Sequence, residues 1–240
     1  MSSWFASDLH LDPATPAIAT RFLRFLTGPV HGAHSLYLLG DLFEAWIGDD
    51  DPEPAHREVI AALAALAASG TLVYVMRGNR DFLIGERFCR ESGAWLLDDP
   101  VIVTIAGTRA LLTHGDGLCV EDTAYQRLRA LVRDAGVRRG FARLPLASRR
   151  RLASEARDGS REHLATASAY ITDVSQSAVE ALMRAAGVNL MVHGHTHRPG
   201  IHHFQTGGAD CTRIVLGDWH ATAKVLQWDE AGWRLESSPG

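Results

Sequence analysis

Apolar positions in the first third of the chain follow two alternating rhythms. Continuous runs at Trp4 to Leu9, Ser35 to Leu39 and Thr71 to Met76 read as strands, while Pro16 to Leu26 and Ala55 to Ala68 carry helical spacing. Strand and helix in turn predict a mostly parallel sheet layered by helices. Leu83 to Glu91 continues as a helix, and Val101 to Ile105 and Ala110 to Thr113 read as strands about the turn Gly107-Thr108. From about Glu121 to Thr172 the pattern turns helical and Arg-rich with no strand, which predicts a helical insertion over 121–172. Ser175 to Ala186 resumes a helix that Gly187 caps, and Asn189 to Val192 is a strand. Thr212 to Leu216, Ala223 to Trp228 and Trp233 to Glu236 read as antiparallel strands. The expected architecture is one α/β domain over 1–240, carrying a helical lid.

With 240 residues, 46% of them hydrophobic, the chain can bury one large core. No apolar stretch approaches membrane-spanning length, and the first residues lack the basic region and apolar segment of a secretion signal, so a cytoplasmic location is expected. Cys89, Cys119 and Cys211 have neither the number nor the spacing of a disulfide framework or zinc ribbon. The net charge of −4 conceals a segregation: between Arg127 and Arg161 eleven arginines face three acidic residues, a local excess of eight that leaves −12 elsewhere. Such a block suits an anionic ligand or surface rather than wholesale nucleic-acid binding, and a solvated Arg-rich helix face is the alternative.

Candidate chemistry sits where apolar runs stop. Asp8-Leu9-His10, Gly40-Asp41, Gly78-Asn79, His114-Gly115-Asp116 and His193-Gly194-His195-Thr196-His197 each follow a strand-like run. In open α/β sheets ligands gather beyond the carboxyl ends of strands, so Asp8, His10, Asp41, Asn79, His114, His195 and His197 can converge there. The i, i+2 spacing of Asp8 with His10 and of His195 with His197 would place both side chains on one face of extended backbone. Seven such groups exceed one tetrahedral site and suit two metals sharing a carboxylate, with Asp41 the natural bridge. Imidazole, carboxylate and amide donors without thiolate favour Mn²⁺, with Fe²⁺, Zn²⁺ and Co²⁺ remaining open. Two divalent cations against Asp8 and Asp41 would leave a site charge of about +2, attracting phosphate and acidifying a bound water. His193 is expected to face the opposite way as buried structure, and His220 is unassigned. No G-x-S-x-G elbow or P-loop is present.

The order Asp8-x-His10, Gly40-Asp41, Gly78-Asn79, His114, Gly194-His195-x-His197 resembles the calcineurin-like metallophosphoesterases. Leu39 to Asp50, Arg77 to Gly85, His193 to Pro199 and Leu216 to His220 are similar to a branch of that family acting on UDP-2,3-diacylglucosamine in lipid A synthesis. The resemblance implies a layered sandwich of mixed sheets flanked by helices, and hydrolysis of a pyrophosphate bond to UMP and a lipid phosphate. It implies one ion on Asp8, His10, Asp41 and His197, a second on Asp41, Asn79, His114 and His195, and catalytic parts for Asp41, Asn79, Arg80 and His195. Asn79, Arg80, Asp122, Ser160 and His195 would contact substrate, and the enzyme would rest against the anionic inner-membrane surface. Leu164 and Ala167 depart from the polar residues usual at those positions, where Thr166 or Ser168 could compensate. Phe141, Leu144, Leu146 and Leu152 could line an acyl chamber or an ordinary helix core.

Arg80 carries an inference of its own. Many metallophosphoesterases have His after the ligand Asn, placed to protonate a leaving alkoxide. An arginine does not deprotonate in a protein, so it is a poor general acid and a good phosphate clamp. That points to a weakly basic leaving group, as in anhydride hydrolysis. The same chemistry on another nucleoside diphosphate-linked substrate is the alternative. A non-catalytic scaffold would predict eroded ligands, and none of the seven is lost.

Overall fold

A computed structural model describes residues 2–51, 53–166, 172–220 and 223–238, with the backbone alone over 160–166. The first sheet is built on β1 (Ser3–Ala6), β2 (Ser35–Leu39), β3 (Leu72–Met76) and β4 (Trp95–Leu97), side by side and parallel. Beyond β1 it is extended antiparallel by β10 (Lys224–Asp229) and β11 (Gly232–Ser237). Between the parallel strands run α1 (Pro16–Thr27), α2 (Pro54–Ala68) and α3 (Glu86–Ser92). The second sheet has the order β5-β6-β7-β9-β8, from β5 (Val101–Ile105), β6 (Thr108–Thr113), β7 (Leu190–His193), β8 (Gly200–Thr206) and β9 (Ala209–Val215). Three helices, α4 (Thr123–Arg133), α5 (Ala135–Ala142) and α6 (Leu146–Thr166), form the insertion, and α7 (Gln176–Ala186) precedes β7.

Two-residue periodicity sorts the side chains into layers. Trp4, Ala6, Leu36, Leu38, Val73 and Val75 face Phe22, Phe25, Val59 and Leu63 of the helices. Their neighbours Phe5, Tyr37, Leu39 and Met76 point the other way, into an inter-sheet core with Leu112, Val192, Ile214 and Leu226. Phe5, Tyr37 and Tyr74 stack across adjacent strands with successive centroids 4.8 Å apart. On the far face of the second sheet, Leu111, Met191 and Cys211 pack on Val179 and Met183 of α7.

The strand expected to reach Leu9 ends at Ala6, because the backbone turns into left-handed conformation at Asp8. Two strands lie outside the expected set. β4 has three residues, too few for a pattern. β8 carries exposed His202 and His203 and so lacks an apolar rhythm, although Gly207-Gly208, both at positive φ, marks the β8-β9 hairpin. β9, expected in an antiparallel set, pairs antiparallel with β8 and parallel with β7.

Candidate metal centre

β1, β2 and β3 run parallel, as do β6, β7 and β9, and the loops following β1, β2, β3, β6 and β7 carry all seven candidate residues. The loops are lashed by backbone bonds: Asp8 N–H donates to Gly40 O at 3.1 Å, His10 N–H to Asp41 O at 3.0 Å, and Gly194 N–H to His114 O at 3.0 Å. Two glycines permit the approach. A Cβ at Gly78 would intrude on the Asp41 carboxylate, and one at Gly194 on Ser7 and Asp8. The extended-backbone reading of the two i, i+2 pairs is corrected by the dihedrals. Asp8, His10, Asp41, His195 and His197 lie at φ of 54°, 49°, 52°, 69° and 55°. Non-glycine residues in this region are strained by roughly 1–3 kcal/mol each and persist where surrounding structure holds them. The paired side chains meet through these sharp turns rather than through pleat alternation.

The seven groups form two lobes around Asp41. In one, His10 Nε2 lies 3.1 Å from His197 Nε2, His197 Nε2 lies 3.4 Å from Asp8 Oδ1, and His10 Nε2 lies 3.9 Å from Asp41 Oδ2. In the other, Asn79 Oδ1 is 3.1 Å from both His114 Nε2 and His195 Nδ1, and Asp41 Oδ1 is 3.8 Å from His114 Nε2. Asp41 thus offers one carboxylate oxygen to each lobe.

Proton placement tests whether cations fit. His114 Nδ1 lies 2.9 Å from the carbonyl oxygen of Leu39, which can only accept, so Nδ1 carries the hydrogen. In neutral His114 the Nε2 lone pair then faces Asn79 Oδ1 and Asp41 Oδ1, acceptor against acceptor. His10 repeats the arrangement, with Nδ1 2.9 Å from Glu44 Oε2 and Nε2 directed at another imidazole nitrogen. Asp8 Oδ2 accepts from Ser7 Oγ at 2.6 Å and His195 N–H at 2.8 Å, while buried Asp8 Oδ1 has His197 Nε2 at 3.4 Å and makes no well-formed hydrogen bond. A cation in each lobe satisfies all of these atoms, and partners that fix the distal nitrogen of a ligating imidazole are what metal sites use.

The electrostatics agree. Burial opposes a charge on His114, but Asp41, Asp116 and Asp8 outweigh it and hold its pKa up at about 9. For Asp8, burial is outweighed by the attraction of His197, His114 and His10, so its pKa falls well below the usual carboxylate range. His195, by contrast, is driven down to about 4 by burial and by His114. A cluster whose acids retain protons on an imidazole is one in which a divalent ion can replace those protons.

Arg80 stands beside the cluster, its backbone N–H donating to Asp41 Oδ1 at 2.8 Å and its Nη1 3.8 Å from Glu44 Oε1. Asp122 caps α4 by accepting from Tyr125 N–H at 3.0 Å, and the Tyr125 ring stacks on His195 with centroids 5.8 Å apart. The Ser160, Leu164 and Thr166 side chains, and Ala167 and Ser168 entirely, lie outside the described residues. Phe141 packs against the helix-side core, 6.3 Å from Phe82, whereas Leu144 and Leu152 remain exposed. His193 is buried as expected, its Nδ1 2.8 Å from Gly194 O and its Nε2 3.2 Å from Arg213 Nη1. The exposed His220 ring lies 6.3 Å from that of His10.

Three supporting carboxylates, Glu44, Asp81 and Asp116, have no role assigned from sequence. Glu44 sets the His10 tautomer. Asp81, fully buried, accepts from Leu42 N–H and Gly78 N–H at 2.7 Å each, tying the Asp41 loop to the Asn79 loop; burial and Asp41 push its pKa up to about 6. Asp116 receives Tyr125 Oη at 3.0 Å, with Arg129 Nε at 2.9 Å and Arg133 Nη2 at 3.1 Å. Only the position of Asp116, two residues after His114, could have flagged it.

Two sheets whose strand ends converge on a two-lobed cluster of imidazoles, carboxylates and an amide define a metallophosphoesterase scaffold whose donor atoms can hold metal ions. The chain belongs to the calcineurin-like phosphoesterase family, whose model matches residues 1–199. Among its relatives is the UDP-2,3-diacylglucosamine hydrolase of Stenotrophomonas maltophilia, 48% identical, covering 99% of this chain and 98% of that protein. Proteins of the same name from Xanthomonas axonopodis pv. citri and Vibrio parahaemolyticus are 49% and 44% identical, covering 98% and 100% of this chain and 98% and 99% of their own lengths.

Proposed function

We propose that this chain hydrolyses the pyrophosphate bond of UDP-2,3-diacylglucosamine, water attacking the α-phosphorus, to give UMP and 2,3-diacylglucosamine 1-phosphate in lipid A synthesis. The observation that carries this reading is the two-lobed cluster around Asp41, in a chain 44 to 49% identical over nearly its whole length to hydrolases named for that substrate. Asp8, His10, Asp41 and His197 would hold one ion and Asp41, Asn79, His114 and His195 the other; Mn²⁺ suits these donors, and Fe²⁺, Zn²⁺ and Co²⁺ share their preferences. Bound there, the pair supplies Lewis acidity and a water acidic enough to react at neutral pH.

The chain's own residues set the rest. The Asn79 amide and the Arg80 guanidinium hold phosphate oxygens, and Arg80, its backbone N–H held by Asp41 and its guanidinium beside Glu44, stabilises charge that builds on them. Because Arg80 gives up no proton, the leaving group must depart unprotonated. A sugar phosphate can do so and an alkoxide cannot easily. Asp122, Ser160 and His195 would orient the sugar.

Among the described residues no helix is long and apolar enough to cross a membrane. We place the enzyme peripherally on the cytoplasmic face of the inner membrane, touching it through the insertion, where Leu128 and Leu131 are 51% and 55% exposed. Part of the basic block is engaged internally: Arg129 and Arg133 with Asp116, Arg149 with Asp50, Arg150 with Asp51. The test of the reaction is product analysis with UDP-2,3-diacylglucosamine and Mn²⁺ in ¹⁸O-water. Label in UMP is expected, and label in the lipid phosphate would overturn the assignment.

A further inference from the structure

The proposed substrate has two unlike arms that diverge from its pyrophosphate, a diacylated sugar and a uridine, and each needs room beside the metal centre. The apolar residues of the insertion, Phe141 against Phe82 among them, offer surface for the first. A different cavity, of about 240 Å³ and open to solvent, lies between the loop after β1, the loop after β2 and one face of α6. Sites for whole drug-sized ligands typically occupy roughly 300–1,000 Å³, so this one has room for a single arm of the substrate rather than all of it. Glu44 forms the partition: its Oε2 holds His10 Nδ1 on one side, and the same side chain lines the cavity on the other.

The lining selects a chemistry. Asp12, Glu44, Asp51 and Glu53 face Arg150 and Arg157, so acids outnumber bases. Arg150 already lies 2.9 Å from Asp51. Leu11, Pro13, Ala45, Ile47 and Ala153 give the cavity apolar surface for a flat ring, while its carboxylates repel a free anion and accept strongly from hydroxyl and N–H donors. Asp12 uses Oδ1 to accept Ala14 N–H at 2.8 Å and Glu53 uses Oε1 for Ala55 N–H at 3.4 Å, which orients each carboxylate and leaves its second oxygen for a ligand. A second observation points the same way. His56, 5% exposed and set against the rings of Phe43 and Trp46, also lines the cavity, and its Nδ1 is buried without a partner.

We propose that this cavity is the nucleoside subsite, where the ribose 2′- and 3′-hydroxyls donate to Asp12 and Glu53 and a uracil carbonyl accepts from Arg157. The inference rests on the uridine-linked substrate argued above. Isothermal titration of Mn²⁺-loaded protein with UMP, 2′,3′-dideoxy-UMP and inorganic phosphate tests it. Wild type should bind UMP at least about tenfold more tightly than the dideoxy analogue, since each hydroxyl removed takes a donor from a charged acceptor. In the Asp12→Ala, Glu53→Ala double variant that preference should fall to within about twofold, while retained phosphate binding verifies the folded site. An unaltered preference for UMP in the double variant, or a wild type that binds both nucleotides equally, overturns the subsite. Failure of wild type to turn over UDP-2,3-diacylglucosamine, assayed on the same preparation, would instead strike the parent reading and leave the nucleotide titrations to be judged separately.

Discussion

Asp81 offers the sharpest test of how the centre is held together. Its carboxylate is fully buried and accepts two backbone N–H groups, those of Leu42 and Gly78, at 2.7 Å each. Asp81→Ala removes both acceptors and leaves two buried donors unsatisfied, at about 1–3 kcal/mol apiece. The expected destabilisation is about 2–6 kcal/mol. Asp81→Asn keeps one acceptor oxygen and turns an amide group toward the other donor, so about half that loss is expected. For a chain of this size each kcal/mol lowers Tm by about 2–4 °C, which predicts a drop of some 4–24 °C for Ala and an intermediate value for Asn. The two loops that Asp81 joins carry Asp41 and Asn79, so titrated Mn²⁺ should bind both variants more weakly than wild type. An Ala variant that melts within about one degree of wild type and binds Mn²⁺ with wild-type affinity would refute the reasoning.

Other outcomes follow from the same geometry. Asp41→Ala should abolish hydrolysis and the binding of a second ion while the circular dichroism spectrum is retained; chelation should stop the wild type and Mn²⁺ restore it. Arg80→Ala should lower kcat by about 10²–10³, as for loss of a charge-stabilising donor, and the wild type should cleave a phosphoanhydride far faster than an alkyl phosphodiester of the same shape. Arg149→Ala should cost about 1–3 kcal/mol by melting, because it takes a buried donor from Ile47 O and Leu144 O while its charge partner Asp50 is left exposed to water, whereas Arg151→Ala, at a side chain 74% exposed, should change Tm little.

Sequence pattern exposed most of this fold because its strands are continuous apolar runs and its helices are periodic. β2 and β5 match their expected bounds to the residue. Ends were less legible where chemistry overrides propensity: β1 stops early since Asp8 and His10 occupy left-handed conformations that no propensity predicts. All seven candidate ligands are brought together, for a residue type at a strand end is a local signal. Their supports are not local. Glu44 and Asp81 look like ordinary loop acids until the fold places one against His10 and the other between two loops. Arg149 misled for the same reason. In sequence it belongs to a run of three arginines suited to an anionic surface, and in the fold it is 2% exposed and enclosed by the β2-α2 loop.

That enclosure has a mechanical consequence for the insertion. The start of α6 is pinned by Arg149 and Arg150 to Asp50 and Asp51, on the loop that also supplies Asp41 and Glu44. α4 is pinned by Arg129 and Arg133 to Asp116, two residues beyond His114. The insertion is therefore a roof on two pillars, each footed in a loop of the metal centre. A hinged cover could swing without disturbing what lies beneath. A roof built this way transmits force, so a bulky chain wedged under α4 or α6 would load the same loops that carry Asp41 and His114.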